Sequence, residues 1–187
     1  MYNTWEELEE SIKGCKGCKL YTNRNNIVFG IGNKEADLMF IGEGPGADED
    51  RLGEPFVGKV GQLMNEAFSG LEIDRNEVYI TNIVKCRPLA NRNPEDDEAA
   101  VCINYLRNQV ILVKPKIIVL LGNNDNFISL AIIPLFFLSY LPIIVTLVPI
   151  FIFCFKKALL NITTGYILLP VFILKFILFI FLFKKKI

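Results

Sequence analysis

Histidine is absent from all 187 residues. That removes the commonest general acid–base near neutral pH and a common metal ligand together. Acid is absent from the last third: all 20 Asp and Glu residues lie at or before Asp125. Beyond it stand Lys156, Lys157, Lys175, Lys184, Lys185 and Lys186, with no arginine. The formally neutral whole therefore hides a front part in which the remaining 14 of 20 basic residues face 20 acidic ones, a formal −6. That excludes the basic footprint of a strong, non-selective DNA binder. Nucleic acid would have to meet a local basic patch. A secretory leader is also missing from the start, because MYNTWEELEES is acidic and has no apolar core.

What is present falls into two unlike regions. Residues 1–122 read as one α/β domain. Thr4-Trp5-Glu6-Glu7 fits a helix-capping box, and Trp5, Leu8 and Ile12 form a helical stripe that Gly14 can stop. ADLMFI (36–41), VYITNIV (78–84) and KIIVLLG (116–122) read as buried strands, rich in branched apolar residues. Helices are predicted over 60–68 and 93–113, the second with Asn93 as N-cap and Pro94 in its first turn. Strands alternating with helices imply a parallel sheet covered on both faces, with ligands bound beyond the carboxyl ends of the strands. Residues 123–187 differ. Positions 127–155 hold 29 residues without a charge, and 158–174 another 17. By length they fit an apolar helical tail that enters a membrane through residues 127–183. Pro134, Pro142 and Pro149 interrupt the first stretch. Its Ile, Leu, Phe, Lys and Asn bias also suits a reading-frame change near Gly122-Asn123, and both readings stand.

The stretch LMFIGEGPGADED carries the first chemical signal. An apolar strand stops in Gly42-Glu43-Gly44-Pro45-Gly46. Glycines there bare backbone N–H groups and let another molecule come close, with one carboxylate in the middle. Cysteine carries the second. Cys15 and Cys18 form C-x2-C, and Cys86 and Cys102 lie far along the chain. Without a secretory leader, disulfides are the weaker reading. Four thiolates suit zinc or an iron–sulfur cluster, and spacing leaves both open.

Together, C-x2-C-x-L at Cys15–Leu20, FIGEGPGADED…GEPFVGKVGQL at 40–63, VYITNIVKCRP at 78–88 and Cys102 resemble the family 4 uracil-DNA glycosylases. These are bacterial and archaeal base-excision enzymes with a [4Fe–4S] cluster. The resemblance covers about residues 10–122. It implies a three-layer α/β/α uracil-DNA glycosylase-like parallel sheet, a cytoplasmic enzyme, and uracil-containing DNA as partner. It makes Cys15, Cys18, Cys86 and Cys102 the cluster ligands, with zinc the alternative. Gly42, Glu43 and Gly44 become the turn that meets uracil and the attacking water, with Glu43 catalytic. Phe56 becomes the ring on which flipped uracil stacks, and Asn82 the amide that reads its edge. Singly, each has a plain alternative: Asn82 could end a strand, Phe56 could be core, and Glu43 could be a solvated turn residue. Lys85, Arg87 and Arg92, with Gly58, Lys59 and Gly61, are candidates for phosphate contact.

The family continues with a further helix, a strand and a His-Pro motif. Nothing after Gly122 matches these, and the chain has no histidine. The sheet is then expected to be incomplete at its C-terminal side, leaving Ile117, Val119 and Leu121 short of partners, and the activity impaired. Two rival readings are a membrane-anchored iron–sulfur protein without glycosylase activity and a zinc-stabilised DNA-binding module.

Overall fold

The computed structural model describes residues 2–122 with their side chains and 143–147 as backbone. Helix α1, Trp5–Ile12, opens as its sequence suggests: the Thr4 hydroxyl accepts from the Glu7 N–H at 3.2 Å. Glu7 closes the cap one residue further out than a standard box, accepting from the Asn3 N–H at 2.9 Å. Gly14 turns the chain away with φ +69°.

Strands β1 (Ile31–Gly32), β2 (Leu38–Gly42), β3 (Tyr79–Asn82), β4 (Ile117–Leu121) and β5 (Ile143–Leu147) form one sheet in the order β1-β3-β2-β4-β5. The expectation of a parallel sheet holds for β2 with β3 and β2 with β4. It fails at the edge, where two-residue β1 runs antiparallel to β3. No apolar run announces so short a strand. Its pairing depends on Gly32, at φ +114°, where a Cβ would lie 1.9 Å from the Val78 carbonyl oxygen. The expected apolar helical tail also needs correction at β5. Ile143–Leu147 is a strand, as the β-branched run Ile-Ile-Val-Thr favours. The rest of both expected membrane stretches lies outside the described residues. Among the described residues no helix is long and apolar enough to cross a membrane.

Between β2 and β3 run α2 (Ala47–Leu52) and α3 (Lys59–Gly70), and between β3 and β4 runs α4 (Asp96–Val113). Helix α2 has no apolar stripe to betray it. It stands on acids in its first turn, Asp48, Glu49 and Asp50, where the helix dipole favours them. Helix α4 is capped by Glu95 rather than by Asn93, two residues later than predicted. Glu95 and Glu98 cap each other reciprocally. Glu98 is buried and takes a fork from Arg92, at 2.9 and 2.6 Å, which holds its carboxyl below the usual carboxylate range.

Strand alternation sorts the core into two faces. Met39, Ile41, Tyr79, Ile118 and Leu120 join Ala99, Cys102, Ile103, Leu106, Val110 and Val113 of α4, with Trp5 of α1 packed against them. On the other face Phe40 meets Phe68 of α3, ring centres 5.0 Å apart. Ile117 and Val119, expected to lack cover, are 7% and 1% exposed. The connection from β2 passes over the α3 face, and that from β3 over the α4 face. The adjacent carboxyl ends of β2 and β3 are thus a topological switch point, the place where open α/β sheets leave a crevice.

Candidate active site

Gly42 and Asn82 end β2 and β3 and are cross-strand partners. Two residues on from Phe40 and Ile80, both face the α3 side. Asn82 is 2% exposed. A Cβ on Gly42 would lie 2.3 Å from Asn82 Oδ1 and 2.7 Å from Cζ of Phe56. Only glycine at this position lets the amide and the ring converge. Past the strand ends the chains stay joined: the Ile83 N–H donates to the Gly42 carbonyl at 2.9 Å, and the Val84 N–H to the Glu43 carbonyl at 3.2 Å. Gly44 allows the same closeness one step on, since its Cβ would sit 2.7 Å from Cγ2 of Val84. The structure thus brings Gly42, Phe56 and Asn82 together, with half-buried Glu43 and Gly44 on the turn above them.

Phe56 stands in the left-handed region, φ +54°. For a bulky residue that is a costly conformation, held only where neighbours over-determine it. The neighbours are specific. Arg75 donates through Nη2 to the Pro55 carbonyl at 2.9 Å and the Phe56 carbonyl at 3.1 Å. Glu49 Oε1 accepts from the N–H groups of Val57 and Gly58 at 3.1 and 2.9 Å. Gly61 of α3 lies so close that a Cβ would be 1.8 Å from the Phe56 carbonyl oxygen.

Behind Asn82 lies Lys85, fully buried. Its ammonium donates to Thr81 Oγ1, the Asn82 carbonyl and Gln109 Oε1, at 2.7, 2.6 and 2.6 Å. Desolvation lowers its pKa to about 7. Lys85 is therefore an internal strut, and the expected phosphate contact is corrected. Arg92 is engaged by Glu98, and Arg87 donates to Asn91 Oδ1 at 2.8 Å. Gly58 and Gly61 are buried, which leaves exposed Lys59 as the open member of that set.

Of the chain's five cysteines Cys154 lies outside the described residues; the other four are free, Cys15 and Cys18 half-buried, Cys86 and Cys102 buried. They share one corner. A Cβ on Gly17 would lie 2.7 Å from Cγ1 of Val101, which sets the C-x2-C loop against α4 beside Cys102. Burial raises the thiol pKa of Cys18 and Cys86, and that of Cys102 to about 11. Smaller contributions come from the cysteines themselves: Cys86 and Cys102 each feel two of the others. Arg24 opposes the rise at Cys86, its Nη1 lying 3.2 Å from Sγ. Among the described residues no three His, Cys, Asp or Glu side chains are grouped to hold one metal ion.

The sequence model of the uracil DNA glycosylase superfamily matches residues 29–149. The chain belongs to the uracil-DNA glycosylase superfamily. It is 47% identical over 122 residues to a type-4 uracil-DNA glycosylase of Sulfurisphaera tokodaii, covering 65% of this chain and 56% of that protein. It is 45% identical over 125 residues to the type-4 enzyme of Thermotoga maritima, covering 65% of each. A third type-4 relative, from Archaeoglobus fulgidus, is 43% identical over 117 residues, covering 63% of this chain and 59% of that one. The chain thus spans between 56% and 65% of the length of these relatives.

Glu49 and Arg75 were missed by sequence reasoning. Glu49 lies in the acidic run Asp48-Glu49-Asp50, for which the sequence suggested no element and no role. Arg75 is 19 residues from Phe56, in a loop without any pattern. No local signal links either to the aromatic turn.

Proposed function

We propose that this superfamily member binds a uracil flipped out of DNA and is built for hydrolysis of its N-glycosidic bond. The observation that carries this reading is the convergence of Asn82 and Phe56 on a glycine that no other residue could replace. A base must leave the stack to enter such a pocket. Stacking on Phe56 would return roughly 1–3 kcal/mol of that cost. An amide held in one orientation both donates and accepts, so Asn82 can accept uracil's edge and reject cytosine, whose amino group stands where uracil has a carbonyl. Bond cleavage leaves negative charge on uracil and positive charge on the sugar. Backbone N–H groups of the Gly42–Gly44 turn suit the first, and the Glu43 carboxylate suits the second or orients water.

Cys15, Cys18, Cys86 and Cys102 would hold a [4Fe–4S] cluster, the donor set being all thiol and near enough for Cys86 and Cys102 each to feel two of the others. When bound, the cluster supplies a covalent tie between the N-terminal segment and α4. The reaction itself is the work of the pocket residues. With no histidine in the chain to stabilise departing uracil, excision is expected to be slow.

Two assays test this reading. Binding is measured to single-stranded DNA carrying a hydrolysis-resistant 2′-fluoro deoxyuridine, against the same strand with 2′-fluoro deoxycytidine. Preference for the uracil strand, lost in Asn82→Ala, is expected; equal binding of both strands by the unaltered protein overturns the reading. Uracil release from the natural strand reports the rate, and a fast rate would show that no histidine is needed.

A further inference from the structure

Phe56 is strained, and its two flanking peptides turn their carbonyls toward a single cation. The Pro55 carbonyl belongs to the peptide before Phe56 and sets its φ side; the Phe56 carbonyl belongs to the peptide after and sets its ψ side. Both are bound by the same Nη2 of Arg75. In extended backbone consecutive carbonyls point to opposite sides, so one nitrogen cannot serve both. The cation is itself anchored: Nη1 donates to Asn65 Oδ1 on α3 at 2.8 Å. The loop that brings Arg75 there is ordered by Asp74, whose carboxylate accepts from the Asn76 N–H at 2.9 Å. Glu49 holds the later of these peptides by its other edge, through the Val57 N–H, and Gly61 makes room. Among the described residues it is Arg75 that bonds both peptides flanking the strained residue.

We propose that Arg75 is a positioning residue for base recognition: it holds the Pro55–Phe56 turn left-handed, and so aims the aromatic ring at Gly42 and Asn82. This rests on the reading of the pocket as a uracil site. Lysine is a poor substitute, because a single ammonium lacks the planar fork that reaches the turn and Asn65 together.

Two measurements on the full chain test it, one independent of DNA. The first is a denaturant cycle with Arg75→Ala, Phe56→Gly and the double variant. Glycine takes positive φ without strain. Arg75→Ala is expected to lower the unfolding midpoint in the native background and clearly less in the glycine background. An equal drop in both overturns the clamp. The second is the ratio of affinities for the 2′-fluoro deoxyuridine and 2′-fluoro deoxycytidine strands. Arg75→Ala is expected to cut that ratio about fivefold, what one hydrogen bond from the base edge to Asn82 supplies once the ring no longer holds the base against it. Arg75→Lys restores part of it, and adding Arg75→Ala to Phe56→Ala changes nothing further. An unchanged ratio in Arg75→Ala, or losses that add to those of Phe56→Ala, overturns the positioning role. A native protein that does not distinguish the two strands overturns the uracil reading and this role with it. The stability cycle separates that failure from failure of the clamp itself.

Discussion

The pocket and the cysteine corner meet within five residues, Asn82 to Cys86, yet they are held in opposite ways. At the pocket the chain supplies every restraint itself. Glycine removes side chains where Asn82 and Phe56 must converge, and Arg75, Glu49 and Lys85 bond the backbone around them. At the corner the chain brings four thiols together without bonding them to one another. Burial there works against the thiolate form, which is the form that ligates iron. A site for a transient guest needs preformed geometry. A site for a permanent guest can leave the last restraint to the guest.

The comparison breaks most completely at the segment both sites share. Lys85→Met removes a buried cation and leaves the Asn82 carbonyl, Thr81 and Gln109 short of a donor. A loss of about 3 kcal/mol or more is expected from unpaired buried acceptors. Urea unfolding should show it, with both strand discrimination and metal retention weakened. Gly42→Ala should break only the pocket. Its Cβ has no room beside Asn82 and Phe56, so discrimination between uracil and cytosine strands should fall at least about tenfold, with about 1–3 kcal/mol of overpacking cost. Metal content should stay unchanged. Cys102→Ser is the converse. Bound iron and the visible absorption of an iron–sulfur chromophore should be lost, while discrimination falls less than in Gly42→Ala.

The smallest effect sharpens the contrast at the start of α4, which carries Cys102. Glu98 has its pKa lowered in the folded state by Arg92. Its contribution is therefore fully present above the ordinary carboxylate range and is lost as pH falls below it. Glu98→Gln should cost about 1–2 kcal/mol at neutral pH, as for a charge-assisted hydrogen bond, and the cost should shrink in acid. Stability measured at pH 7 and again in acid checks the sign. A cost that grew with acid would contradict it.

Much of this was legible before the structure. Apolar runs located β2, β3 and β4, and the glycine turn, Phe56, Asn82 and four cysteines were recognisable as ordered motifs. What stayed hidden has a common cause. β1 is two residues long and exists through pairing alone. α2 has no apolar stripe, so its only local mark is charge. Lys85 sits in VKCRP like a surface cation, and only its depth shows it to be internal. Arg75 reaches Phe56 across 19 residues of chain.

The sequence by itself determined the chemistry on offer: a bare glycine turn, an amide and a ring in ordered motifs, four of its five thiols in the same motifs, and no imidazole. Residue type and local periodicity are local properties, and local properties can be read along a line. Only the tertiary structure decided that Gly42 faces Asn82, that Phe56 is left-handed, and that two cations serve the backbone instead of DNA. Those facts depend on strand register and on contacts between distant segments, where a shift of one residue would turn each side chain to the other face.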